Sequence, residues 1–203
     1  MVALLATAVS GETPPEIVLV GDSTTACGGR DRSEIHDPAH TVEALLARAP
    51  EGNRWRGAKV HNEARPGSGT SQWLRTHVRR VKRKHPRIDA VIMTLGINDF
   101  EGDDPGATIA RIREIAARFA PATIWVTAPH EVDSKNRAID EISPGLIDRY
   151  AAWKDRLTAS MRAEKLVDFE FPGFPKYDGL HHRGHSCILV GAWIAAQLTD
   201  PSR

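Results

Sequence analysis

The chain has 203 residues, of which 41% are hydrophobic and 26% charged, and a formal net charge of +1. This is the composition of a globular chain with enough apolar material for one full core. A charge so near zero supplies no overall field for nucleic acid, and no run approaches the about eighteen apolar residues that a membrane helix requires.

Residues 1–15 are expected as an N-terminal extension or partial signal-like segment, and 16–203 as a single domain. Met1 to Val9 are apolar and include Ala6-Thr7-Ala8, but they carry no basic region and are short for a complete leader. The compartment therefore stays open between cytoplasmic and secreted.

Glu16 to Val20 is an apolar, β-branched run bounded by Pro14-Pro15 and Gly21, which predicts a buried strand. Ser23, in Gly21-Asp22-Ser23, then stands just past the carboxyl end of that strand. In an open parallel sheet this edge is where ligands bind. Thr24, Thr25 and Ala26 can begin a helix whose free N–H groups favour an anion.

A polar loop over 27–39 leads into a helix over 41–49. Lys59-Val60-His61 reads as a short strand, followed by Pro66-Gly67-Ser68-Gly69, where backbone N–H groups can face a ligand closely. Over 71–84 a helix is expected, with Leu74, Val78 and Val81 at helical spacing and Arg79, Arg80, Lys82, Arg83 and Lys84 on the solvated side. A nucleic-acid helix is the weaker reading, since no aromatic side chains interleave these charges.

Ile88 to Leu95 is the clearest strand, and Gly96-Ile97-Asn98-Asp99 follows it directly at the same carboxyl edge. Then come a helix over 105–119, a strand near Ile124, a rim loop over 130–143, a helix over 144–164, a strand near Val167 and a loop over 170–176. Tyr177-Asp178-Gly179-Leu180-His181 places a carboxylate three residues before an imidazole, ahead of a final helix over 184–198. The alternation implies βαβ units, hence a three-layer α/β/α domain around a parallel sheet of roughly five strands.

The two cysteines, Cys27 and Cys187, are expected as buried thiols, with a disulfide as the alternative in an oxidising compartment. Trp73, Trp125, Trp153 and Trp193 lie in apolar stripes and are expected in the core, whereas Trp55 sits among polar residues and is expected at the surface.

Five separated pieces supply the parts of an acyl-transfer site. A serine hydroxyl such as that of Ser23 is a weak nucleophile and needs a base, commonly a histidine held in one tautomer by a third group. His181 and Asp178 fit those two roles. The oxyanion of a tetrahedral intermediate also needs donors. The Asn98 amide and the backbone N–H of Gly67 suit this, with Gly69 as an alternative glycine.

The rival is a metal site from Asp178, His181, His182 and His185. A hydrolytic zinc site would want a carboxylate base and an open position, and no HExxH run or cysteine pair supports one. His182 and His185 are therefore expected at the surface or at a helix start. His36, His40, His61, His77, His85 and His130 show no ligand spacing. G-x-S-x-G, a GxxxxGK[ST] loop and GxGxxG after a strand are all absent.

The four blocks GDS, NEARPG, GIND and DGLH, in this order, resemble the SGNH hydrolases, the GDSL-type esterase and lipase superfamily. The resemblance covers nearly the whole chain. It implies a flavodoxin-like α/β/α fold, Ser23 as nucleophile, an oxyanion hole from Ser23, Gly67 and Asn98, His181 as base and acid, and Asp178 as its orienting partner. Thr24 stands where many members carry Leu, and His182 where many carry Pro. GDST with an N-x-A-x-x-G loop is similar to the carbohydrate acetylesterase branch.

The expected function is a serine esterase for short acyl esters of a carbohydrate. The alternatives are a lysophospholipase or thioesterase of the same fold, or an inactive carbohydrate- or lipid-binding module. Thr24, Arg65, Ser68, Thr70 and Phe100 flank the blocks and are candidate substrate contacts by position. No cofactor or metal is expected, and the expected partner is a small-molecule or glycan ester.

Overall fold

The computed structural model describes residues 13–27, 36–102 and 104–202. The apolar start of the chain and most of the loop after Cys27 lie outside the described residues.

Four parallel strands, β1 (Glu16–Gly21), β2 (Lys59–Asn62), β3 (Ala90–Thr94) and β4 (Thr123–Val126), form one sheet in the order β2-β1-β3-β4. Successive side chains of a strand point to opposite faces, and here both faces are covered. Ile17, Leu19, Val60, Ala90 and Ile92 meet Val42 and Leu46 of α2 (Pro38–Leu46) and Val190, Ile194 and Leu198 of the C-terminal helix on one side. Val18, Val20, Val91 and Met93 pack on the other side against Val78 and Val81, Ile109, Ile112 and Ile115, and Trp153 and Leu157. This is why β1 and β3 read as continuous apolar runs rather than alternating ones.

The helix expected over 71–84 is split. It opens as α3 (Thr70–Gln72), passes through a π-helical stretch at Trp73–His77 and continues as α4 (Val78–Lys84). The Val78 N–H reaches back five residues to the Trp73 carbonyl. The wider turn keeps Trp73 fully buried while His77 lies 3.1 Å from the Ser68 hydroxyl. Arg79, Lys82 and Arg83 are exposed, as the apolar spacing of this segment implies.

The other helices are a short α1 (Ser23–Ala26), α5 (Pro105–Arg118), α6 (Leu146–Ala163) and α7 (His185–Thr199). Both α2 and α5 begin with Asp-Pro, the Asp side chain accepting an N–H of the first turn and the Pro lacking a donor that would go unused there. No helix among the described residues is long and apolar enough to cross a membrane.

Two expectations about the framework change. The fifth strand, near Val167, is reduced to one isolated parallel bridge between Thr127 and Phe169. Asp168 gives its N–H to the Val126 carbonyl, and its carboxylate takes the Val126 N–H at 2.7 Å, a donor that a longer ladder would use. Pro172 and Pro175 follow without N–H groups, which ends any extension. Trp55 is buried, at 3% exposure, because its ring packs edge-on against Trp125 while Arg54 covers it at 4.2 Å. Trp73 and Trp153 lie wholly in the core, and Trp125 and Trp193 are half-buried against it.

Candidate active site

Loops leaving the carboxyl ends of neighbouring strands assemble the site. In register, Gly21 at the end of β1 pairs with Thr94 of β3, and Leu19 of β1 with Asn62 of β2. The segments carrying Ser23, Asn98 and Gly67 therefore start from three adjacent strands, spaced about 4.8 Å apart.

Ser23 is the first residue of α1, and Asp22 caps that turn by accepting from the Thr24 N–H at 2.9 Å and the Thr24 hydroxyl at 2.8 Å. Burial pushes the Asp22 carboxyl up to about 6, against the lowering effect of both Thr24 donors and of nearby His181. Beneath it, burial and the Asp22 charge push the Tyr150 hydroxyl up to about 12.

From the far end of the chain, His181 brings Nε2 to 3.0 Å from Ser23 Oγ, a separation of 158 residues in sequence. Its Nδ1 lies 2.7 Å from Asp178 Oδ2. The other carboxylate oxygen accepts the backbone N–H groups of Leu180 and His181 at 2.9 and 2.7 Å. Burial opposes the Asp178 charge, but these donors and the His181 ring outweigh it and hold the carboxyl at about 2. An ionised Asp178 fixes the Nδ1–H tautomer, so Nε2 turns its lone pair toward the hydroxyl.

The turn that makes this arrangement requires Gly179, whose φ is +93° and where a Cβ would lie 2.0 Å from the Asn136 carbonyl. The rim loop over 130–143 grips the same turn from outside. The Asp133 N–H donates to the Gly179 carbonyl, Ile139 N–H to the Asp178 carbonyl and Asn136 Nδ2 to the Lys176 carbonyl.

Gly67 is exposed at φ +73°, with open space where a Cβ would stand. Gly69 differs: its N–H faces Gln72 Oε1 at 3.3 Å, and a Cβ there would sit 2.6 Å from Asp99. Asn98 reaches the same loop, its Nδ2 lying 3.4 Å from the Ser68 carbonyl. Asp99 fastens the two loops together, its carboxylate accepting the Thr70 N–H at 3.1 and 3.2 Å.

The residues flanking the blocks are largely engaged with the protein itself. Thr24 is buried and holds Asp22, while Ser68 is buried against His77. Thr70 is fully buried, its hydroxyl accepting from Arg111 at 2.7 Å. Arg65 pairs with Glu63 at 2.6 Å, and Phe100 packs on Tyr150. The three histidines of the rival metal reading separate: His181 faces Ser23 with Asp178 behind it, exposed His185 begins α7, and His182 turns inward. The expectation of a surface His182 is thus overturned. It is fully buried, 2.7 Å from Lys176 Nζ and 3.1 Å from His130 Nδ1.

Cys27 and Cys187 are joined in a disulfide rather than standing as two thiols. The bond links the end of α1, just past Ser23, to the first turn of α7, just past His181. Sequence reasoning also missed Tyr177, which is 49% exposed, stacks beside the His181 ring at 6.1 Å and lies under Arg183. Its signal was available: an aromatic residue directly before the Asp178 block.

Among solved structures, Est24, a carbohydrate acetylesterase from Sinorhizobium meliloti, is similar with a TM-score of 0.67 and 16% identity, over 91% of this chain and 98% of that one. An aryl esterase from M. smegmatis matches with a TM-score of 0.67 and 14% identity, over 91% and 98%. A lipase/acylhydrolase from Enterococcus faecalis matches with a TM-score of 0.63 and 20% identity, over 91% and 95%. These likenesses give the fold, that of the SGNH hydrolases. A comparison with curated proteins returns no match. The model of the GDSL-like Lipase/Acylhydrolase family matches residues 19–185, from β1 to the start of α7. The chain belongs to the GDSL-like lipase/acylhydrolase family and is a hydrolase of ester bonds.

Proposed function

We propose that this chain is a serine esterase working through an acyl-enzyme, and that its substrate is a short acyl ester, acetyl above all, of a carbohydrate. The observation that carries the mechanism is the unbroken relay from Ser23 Oγ to His181 Nε2 at 3.0 Å and from His181 Nδ1 to Asp178 at 2.7 Å.

His181 takes the Ser23 proton as Oγ attacks the ester carbonyl, and ionised Asp178 stabilises the imidazolium that results. The developing oxyanion accepts from the N–H groups of Ser23 and Gly67 and from the Asn98 amide, donors of the kind that lower the barrier most when aimed in advance. Collapse expels the alcohol, which takes its proton from His181. Water then gives a proton to the same His181 and attacks the acyl-enzyme; collapse breaks the acyl–Oγ bond, His181 returns the proton to Ser23, and the acid leaves. Every role is filled by a side chain or backbone group of this chain, and no cofactor is assigned.

Three observations support a carbohydrate ester. GDST with the N-x-A-x-x-G loop is similar to the carbohydrate acetylesterase branch, and one similar structure is a carbohydrate acetylesterase. The exposed Tyr177 ring beside His181 also offers a flat apolar face on which a sugar ring can lie.

The test is hydrolysis of p-nitrophenyl esters from acetyl to long-chain by wild type and Ser23→Ala, with and without a chelator. Activity that peaks at acetyl, survives chelation and vanishes in Ser23→Ala is expected. Unchanged turnover in the variant would remove the serine mechanism. An optimum at long chains would replace the substrate reading with a lysophospholipase or thioesterase one.

A further inference from the structure

At the opposite end of β1 from Ser23, three potential ligands converge on one point. Glu16 opens β1, His61 lies on the neighbouring β2 and His85 closes α4. In register His61 stands beside Val18, so three to five strand rises of about 3.3 Å, roughly 10–16 Å, separate this point from the end of β1 where the Ser23 turn begins.

One donor atom from each of the three lies within 4.8 Å of the other two. Glu16 Oε2 is 3.7 Å from His61 Nε2, beyond hydrogen-bond length, and the His61 and His85 rings are 4.2 Å apart at 34°. The Glu16 and His61 side chains are about one-third exposed, which leaves a path from solvent, whereas His85 is buried.

Behind His85 stands a buried carboxylate. Glu63, 1% exposed, places Oε1 3.0 Å from His85 Nε2 and is itself held by Arg65 at 2.6 Å and Lys84 at 2.5 Å. With Nε2–H donated to Glu63, the His85 ring keeps its lone pair on Nδ1 and its orientation is fixed. This carboxylate–histidine pairing is the usual support behind a metal-bound imidazole. Glu63 also balances the charge of Arg65 and Lys84 close by.

We propose that Glu16, His61 and His85 form a site for one divalent transition-metal ion of the zinc type. The ligands are one carboxylate oxygen and two imidazole nitrogens, with water completing the shell. Zinc–ligand distances of about 2.0–2.2 Å bring tetrahedral donors to about 3.4 Å from each other, so rotation of the half-exposed Glu16 and His61 side chains closes the site. Two imidazoles select such an ion over magnesium or calcium, which take oxygen donors. The ion would cross-link the start of β1, the sheet's edge strand β2 and the end of α4. Its distance from Ser23 gives it a stabilising role separate from ester hydrolysis.

The test uses the full chain, stripped with a chelator and titrated with zinc chloride or magnesium chloride by calorimetry and thermal melting. The variants are His61→Ala, Glu16→Gln and His181→Ala, each checked for fold by circular dichroism. The expected result is one zinc bound per wild-type chain, a raised Tm and no response to magnesium. His61→Ala should abolish the saturable binding, Glu16→Gln should weaken it at least tenfold, and His181→Ala should retain it. Ester turnover should be the same for zinc-loaded and chelated wild type. Absence of binding by the wild type, or binding that survives His61→Ala, would overturn the proposal. So would binding lost in His181→Ala or turnover lost at one equivalent of zinc, since both would place the ion at Ser23.

Discussion

Nζ of Lys176 lies 2.7 Å from Nε2 of His182, and both side chains are buried behind the turn that presents Asp178 and His181. His130 closes the cluster, with Nδ1 3.1 Å from the same His182 nitrogen and its ring stacked on Phe171 at 4.1 Å. Burial drives the Lys176 ammonium down to about 7. Burial, then the Lys176 charge, drives His182 down to about 3. His182 is therefore neutral at physiological pH and serves as an acceptor. The residue next to His181 thereby anchors the loop to the core.

This cluster predicts a pH dependence of stability. Lys176 releases its proton near 7 in the folded chain rather than at 10.5, so between those values the unfolded chain holds a proton that the folded chain lacks. Stability must rise with pH across that window. His182 acts in the same direction between about 3 and 6.5, and Asp178 between about 2 and 3.8. Asp22, pushed up to about 6 from 3.8, opposes them: its contribution is full below 3.8 and lost as pH rises through 6. Urea midpoints should climb from pH 7 toward 10.5 in wild type and climb less in Lys176→Met. Parallel profiles would remove Lys176 from the account.

The Cys27–Cys187 disulfide closes a loop of 160 residues between the two ends of the site. Replacing both cysteines with serine should lower stability by about 3–5 kcal/mol, largely because the unfolded chain regains freedom. Urea unfolding of wild type with reductant should approach that of the double variant. Identical midpoints in oxidised wild type and variant would show that the bond contributes nothing.

Asn98→Ala tests the oxyanion assignment. Loss of one preorganised donor lowers kcat by about 10²–10³-fold while leaving KM nearly unchanged. A rise in KM alone would make Asn98 a substrate-binding residue.

Tyr177→Ala separates the carbohydrate reading from simple esterase activity. Removing a ring contact of about 1 kcal/mol should raise KM for an acetylated sugar by roughly 5-fold and leave p-nitrophenyl acetate turnover near wild type. Equal effects on both substrates would argue that the ring positions His181 instead.

Much of this was legible before any coordinates. The runs Glu16 to Val20 and Ile88 to Leu95 name themselves as buried strands by composition, and GDS, GIND and DGLH follow strands or precede a helix where the structure has them. The fifth strand failed because Asp168 spends its side chain on Val126, a bond that no local pattern announces. Trp55 and His182 failed for the same kind of reason. Their sequence neighbours are polar, but the rings and groups that bury them, Trp125 for one and His130 with Lys176 for the other, come from beyond those neighbours.

The sequence by itself determined the layered α/β/α class and singled out the side chains proposed to react. Hydrophobic periodicity and the preferences of Gly, Asp and Ser at strand ends are local properties that need no knowledge of what lies opposite. Tertiary structure alone decided that Ser23 and His181 meet at 3.0 Å, that Cys27 bonds Cys187, and that Glu16, His61 and His85 share one point. Each of these depends on the register of parallel strands and on which helix covers which face. Those are fixed by burial of the whole core rather than by any segment of the chain.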